Sequence, residues 1–127
     1  MATASETRTR HVVCAVGELP PGTTRIVQAG SRSIGVINDD GRLHALRNVC
    51  PHHGAPLCRG SVSGLMKPSD PHLYDYSGDE EENRVVRCPW HGYEFRLRDG
   101  IGVTGGKGLR VKTYEVRVEG PEVILYV

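Results

Sequence analysis

The chain has 127 residues, 38% of them hydrophobic, and a net charge of +1, which is the size and composition of one globular domain. So small a charge argues against a dedicated nucleic-acid or anionic-membrane binder, which carries a basic surplus. No run approaches the roughly 18 apolar residues of a membrane-spanning helix, and MATASETRTR lacks the apolar core of a secretory signal.

Residues 1–9 read as a flexible polar tail. His11–Val16 is a first short apolar run, closed by Gly17, Pro20 and Pro21. Thr23–Gln28 and Ser33–Asn38 follow as strands. Asp39-Asp40-Gly41 then leads into Leu43–Arg47, and an Asp-Gly between apolar runs predicts a hairpin. Residues 61–84 stand apart, with Pro68, Pro71 and an acidic run from Asp79 to Glu82. They read as an insertion: a solvated loop, or an extra hairpin packing Leu73, Tyr74 and Tyr76, whose acidic run could dock a basic partner. Val85–Arg87 and Glu94–Leu97 are further strands, with a turn at Asp99-Gly100. Leu109–Val118 and Val123–Val127 form a terminal hairpin across Glu119-Gly120-Pro121. The apolar parity of its first arm shifts between Val111 and Tyr114, which predicts a bulge near Thr113. No window has a helical period, so the fold class is all-β, a sandwich or barrel.

Two loops carry the chemistry. Cys50-Pro51-His52 continues into His53-Gly54-Ala55-Pro56-Leu57, and Cys88-Pro89-Trp90-His91 continues into Gly92-Tyr93-Glu94-Phe95. Each offers one thiolate and one imidazole. That donor set suits zinc, copper or an iron–sulfur cluster. A zinc site more often groups its Cys pair and His pair separately in sequence. The mixed pairing here lets each loop supply one ligand to each of two irons, as a Rieske centre requires.

These motifs, with their Gly and Pro neighbours, resemble the Rieske [2Fe–2S] family from about Cys14 to Val127, most closely its small soluble ferredoxins of multicomponent oxygenases. The resemblance implies an antiparallel β-sandwich base, residues 10–47 and 96–127. A smaller cluster-binding β lobe, residues 48–95, is inserted in it and carries the 61–84 insertion. It implies one [2Fe–2S] cluster, with Cys50 and Cys88 on the inner iron and His52 and His91 on the outer, redox-active iron. The two imidazoles are then the exit for the electron. Pro51, Gly54 and Gly92 shape the loops, and Trp90 and Tyr93 pack against or tune the cluster, Trp90 alternatively touching a partner.

High-potential relatives carry a disulfide between the two loops, at positions that are Ala55 and Trp90 here. They also place donor hydroxyls where this chain has Tyr93 and Phe95. A potential at the low end of the Rieske range of about −150 to +300 mV is therefore expected. The family often covers its cluster with a Pro-containing loop, whereas Val103 to Gly108 has glycines and no proline.

The implied activity is one-electron transfer from a flavin-dependent reductase to a terminal oxygenase. The chain would not be an enzyme by itself, because no second iron site is evident among its scattered histidines. Another redox enzyme, such as a nitrite reductase with this chain as accessory subunit, is the alternative. A zinc-stabilised interaction module is the third reading. No nucleic acid or membrane partner is expected, and the expected location is the cytoplasm. Cys14 reads as a core residue and Cys58 as a free, partly buried thiol. His11, His44, His53 and His72 read as structural or surface residues.

Overall fold

The computed structural model describes residues 8–51, 54–64, 66–70, 73–76, 84–90, 92–103 and 108–127. Eleven strands follow one another there: β1 (Arg10–Ala15), β2 (Thr24–Ala29), β3 (Arg32–Asp39), β4 (Arg42–Arg47), β5 (Val62–Gly64), β6 (Met66–Asp70), β7 (Leu73–Tyr76), β8 (Arg84–Arg87), β9 (Glu94–Arg96), β10 (Thr113–Glu119) and β11 (Glu122–Tyr126). The helical content among the described residues is two 3₁₀ turns, Val16–Glu18 and Leu57–Arg59. The all-β expectation holds.

Six strands make one antiparallel sheet in the order β1-β11-β10-β4-β3-β2. Its edge strands contribute Cys14 and Ala29 to the same core, together with Ile34, Val36, Ala45, Val123 and Leu125. Opposite edges share a core only if the sheet rolls up, as strand twist promotes. Cys14 is thus a core residue, as expected. A second sheet, β5-β8-β9, holds the smaller lobe, and β6 and β7 form a hairpin of their own. Its strand pairing matches the hairpin reading of the insertion; the packing of Leu73, Tyr74 and Tyr76 and the acidic run Asp79–Glu82 lie outside what is described.

The run Ile34-Gly35-Val36-Ile37 explains how the lobes meet. Successive side chains of a strand point to opposite faces. Ile34 and Val36 enter the core of the large sheet, while Ile37 enters a second core with Leu46, Leu57, Val86 and Phe95. Both faces are covered, so the run is apolar throughout. Gly35 lies on the second face, where a Cβ would stand 2.3 Å from Cys58 Cβ. Glycine is what lets the 3₁₀ turn at Leu57–Arg59 seat itself on β3. Cys58 is fully buried there, not partly, and burial pushes its thiol up to about 12.

The β3–β4 hairpin closes at Asp40 (φ +54) and Gly41 (φ +95), the two positive values that a type I′ turn needs. At the terminal hairpin the bulge expected near Thr113 is absent. Strand β10 begins at Thr113, and the register shift of this sheet falls in β1, between Val12 and Cys14. The parity change has another cause: Leu109 and Val111 pack in the smaller lobe's core, and Tyr114 and Val116 in the larger one.

A charged clamp also joins the lobes. Arg84 of β8 donates from Nε and Nη2 to the two carboxylate oxygens of Asp39, each at 2.8 Å. Asp39 is 7% exposed. Removing one partner strands a buried charge. Arg84→Met is expected to cost about 3 kcal/mol in urea unfolding, and Asp39→Asn added to it should recover part of the loss. An Arg84→Met cost equal to that of an exposed pair would show that Asp39 is rehydrated instead.

Candidate metal centre

The first loop leaves β4 through Asn48. Asn48 donates its N–H to Ser33 O at 2.8 Å, and its Oδ1 accepts the Cys58 N–H at 2.8 Å. One residue thereby ties β3 to the turn after the loop. No sequence motif marked Asn48, though a buried polar residue two places before Cys50 is a usable signal, because burial demands hydrogen bonds.

The two cysteine loops share one backbone pattern. Cys50 N–H donates to Ala55 O at 2.8 Å, and Gly54 N–H returns to Cys50 O at 2.8 Å. Cys88 N–H donates to Tyr93 O at 2.7 Å, and Gly92 N–H returns to Cys88 O at 3.0 Å. Gly54 has φ +75 and Gly92 has φ +73, a conformation that glycine adopts without penalty. The same ring of bonds is closed at the same offset from each cysteine.

Cys50 and Cys88 are 1% and 2% exposed and belong to one buried cluster of side chains. A buried thiol pair from two matched loops fits a group that takes thiolate ligands. All four described cysteines are unbonded to one another. His52, His53 and His91 lie outside the described residues, so the structure positions the thiol half of the expected donor set. Among the described residues no three metal-ligating side chains come together.

The neighbours of the cysteines divide by burial. Ala55 and Phe95 are 0% exposed. Phe95 is a core residue without a donor group, and Tyr93 packs partly buried against the same core. Trp90 is 59% exposed and Val49 38%, so Trp90 stands out of the loop and does not fill the core. Pro51 is an exposed turn residue. Of the stretch Val103 to Gly108, which matches the family's covering loop, residues 104–107 lie outside the described residues.

Sequence reasoning missed Gly60. A Cβ on it would lie 1.7 Å from Arg87 O. The chain leaving the first loop therefore passes directly over the residue that precedes Cys88.

A family model for the Rieske [2Fe-2S] domain matches residues 9–115. The chain belongs to the Rieske [2Fe–2S] domain family. The resident cofactor of the Rieske domain is a [2Fe–2S] cluster, in agreement with the thiol pair. Apoptosis-inducing factor 3 of Homo sapiens is 35% identical over 88 residues, 69% of this chain and 11% of that protein. The chain thus spans about a ninth of that relative's length. A solved complex of reduced oxygenase and oxidised ferredoxin in carbazole 1,9a-dioxygenase contains a chain 26% identical to this one. Its TM-score is 0.69, with 91% of each chain covered. The NirD protein of E. coli is 22% identical with a TM-score of 0.73, covering 95% of this Rieske chain and 98% of NirD. It attests the fold. No helix of the described residues is long and apolar enough to cross a membrane.

Proposed function

We propose that this Rieske chain is a one-electron carrier, with Cys50 and Cys88 holding one iron of the cluster and His52 and His91 the other. The observation that carries the reading is the pair of matched loops, each starting at a buried cysteine. The bound cluster supplies a one-electron ferric–ferrous couple. The chain's own residues bury the sulfur side, hold each loop with backbone hydrogen bonds and, at Gly54 and Gly92, permit the tight return of the chain. Pro51 and Tyr93 complete the loops.

The carrier takes an electron from a flavin-dependent reductase and passes it to a terminal oxygenase. It is an electron-transfer component and not itself an enzyme. The oxygenase–ferredoxin complex supports that partner class. A fold shared with a putative NADH-dependent nitrite reductase small subunit of Mycobacterium tuberculosis keeps a second reading open, an accessory subunit of a nitrite reductase. A reducing compartment, the cytoplasm, suits four unbonded cysteines, and neither nucleic acid nor membrane is a partner.

Low-temperature EPR of the dithionite-reduced protein, with iron and zinc analysis of the same sample, tests the proposal. The expected result is a rhombic signal averaging near g ~1.9 and about two irons per chain. Titration of that signal is expected to give a midpoint near the lower limit of about −150 mV, because Phe95 has no hydroxyl to offer and Ala55 no thiol for a loop disulfide. One zinc and no iron would make the chain an interaction module. Electron acceptance by an oxygenase or by a nitrite reductase separates the two partner readings.

A further inference from the structure

Positive charge gathers at one end of the six-stranded sheet. Arg32 opens β3, Arg47 closes β4, and Lys112 directly precedes β10. These strands are neighbours. The register sets Lys112 opposite Arg47, one strand spacing of about 4.8 Å away, and Arg32 two residues along β3 from Ile34, the partner of Arg47, a diagonal of about 7–8 Å on the same face. Arg47 N–H donates to Lys112 O at 2.9 Å, which fixes the first of these spacings. With Arg8, Tyr114 and Tyr126 this row of three lines a surface groove of about 510 Å³.

Among the described residues the charges of the row are unspent. Glu115 is the acidic side chain in the lining, and it pairs with Arg8 at 2.5 Å and Arg117 at 3.4 Å. Among the described residues no carboxylate lies within ion-pair distance of Arg32, Arg47 or Lys112. Lys112 Nζ stands 5.9 Å from the Tyr114 ring centre. All three are exposed. Like charges on adjacent strands repel, so an acidic occupant would relieve the row as well as bind it.

The groove adjoins the first cysteine loop. Arg47 precedes Cys50 by three residues, a span of at most about 11 Å. Lys112 follows Val111, which packs in the core that contains Cys50 and Cys88. We infer that this groove is the docking surface for an acidic segment of the chain's redox partner, seated beside the first cluster loop. A row across three strands, open to solvent and walled by two tyrosines, suits several carboxylates on one protein segment. A lone phosphate would engage one or two of the cations. Rim charges of this kind steer the encounter and set its register. The inference rests on the electron-carrier reading for the partner's nature, but not for the binding itself.

The test uses the iron-loaded protein and a fluorescently labelled hexaglutamate peptide, followed by anisotropy. The triple variant R32Q/R47Q/K112Q is compared with R25Q/R42Q/R59Q, which removes the same charge from exposed positions outside the groove. The groove triple is expected to weaken binding about tenfold and the control triple less than about twofold. Wild-type affinity should fall as KCl rises from about 20 to about 300 mM. Equal weakening by both triples would reduce the effect to net charge and overturn the proposal. So would displacement of the peptide by inorganic phosphate at equimolar concentration, which would make the groove a small-anion site. EPR of both triples is expected to match wild type. A missing cluster signal sinks the carrier reading, whereas a failed peptide titration sinks only the docking surface.

Discussion

Cys88→Ala is expected to leave the protein without iron, and His91→Cys to keep the iron while lowering the midpoint potential by at least about 200 mV. The two outcomes differ because the two ligands do different work. Cys88 starts its loop from a 2% exposed position, and a methyl group there can bond neither iron nor solvent. On the proposed assignment His91 would supply a neutral nitrogen donor. Exchanging it for a thiolate adds negative charge to the site, which opposes the incoming electron. All-cysteine clusters of the plant type lie near −400 mV, against about −150 mV at the lower Rieske limit. Iron analysis and an EPR-monitored titration read both variants. Full iron in Cys88→Ala would remove Cys88 from the ligand set. An unchanged midpoint in His91→Cys would remove His91, whose part rests on its spacing and the family resemblance, since it lies outside the described residues. Circular dichroism at the base sheet's signature separates either result from simple unfolding.

What the sequence made legible is what is local. Asp40-Gly41 announced its hairpin because both residues must take positive φ, and few residue pairs do so cheaply. The strands from β1 to β4, with β8, β9 and β11, were readable to within a residue or two because each is an apolar run between breakers. The cysteine loops were readable because metal chemistry restricts residue type and spacing together. Strands β5, β6 and β7 were not read as separate elements, since Pro68 and the surrounding polar residues weaken any period. The parity change before Thr113 was visible, yet its meaning was not. A chain that changes cores looks, in one dimension, like a chain with a bulge. Contacts between distant residues leave no pattern at all. Asp39 and Arg84 lie 45 positions apart, and nothing near either one names the other. Gly35 likewise reads as a weak point in a strand, until Cys58 is found in the space where its side chain would be.

Gly60 carries the second large expected effect. Its φ of −76° and ψ of 173° are open to any residue, so alanine meets no backbone strain of its own. The obstacle is contact: the new Cβ would lie 1.7 Å from Arg87 O, 2.8 Å from Arg87 C and 3.1 Å from Leu57 O. All three are backbone atoms, and no rotamer change can move them aside. Arg87 in turn donates its N–H to Ser61 O at 2.8 Å, so shifting Arg87 breaks the bond that pairs the exit of the first loop with the entry of the second. Cys88 is the next residue and must move as well. Gly60→Ala is therefore expected to destabilise the protein by more than about 3 kcal/mol and to lower iron content in what folds. Gly17→Ala is the matched control, because a Cβ there meets nothing within 4 Å. Urea unfolding and iron analysis of the two variants decide the matter. If Gly60→Ala were as stable and as iron-rich as Gly17→Ala, the close approach of the two loops would play no part in building the centre. Loss of both together in Gly60→Ala alone would place the joint between the loops among the features that make the cysteines a pair.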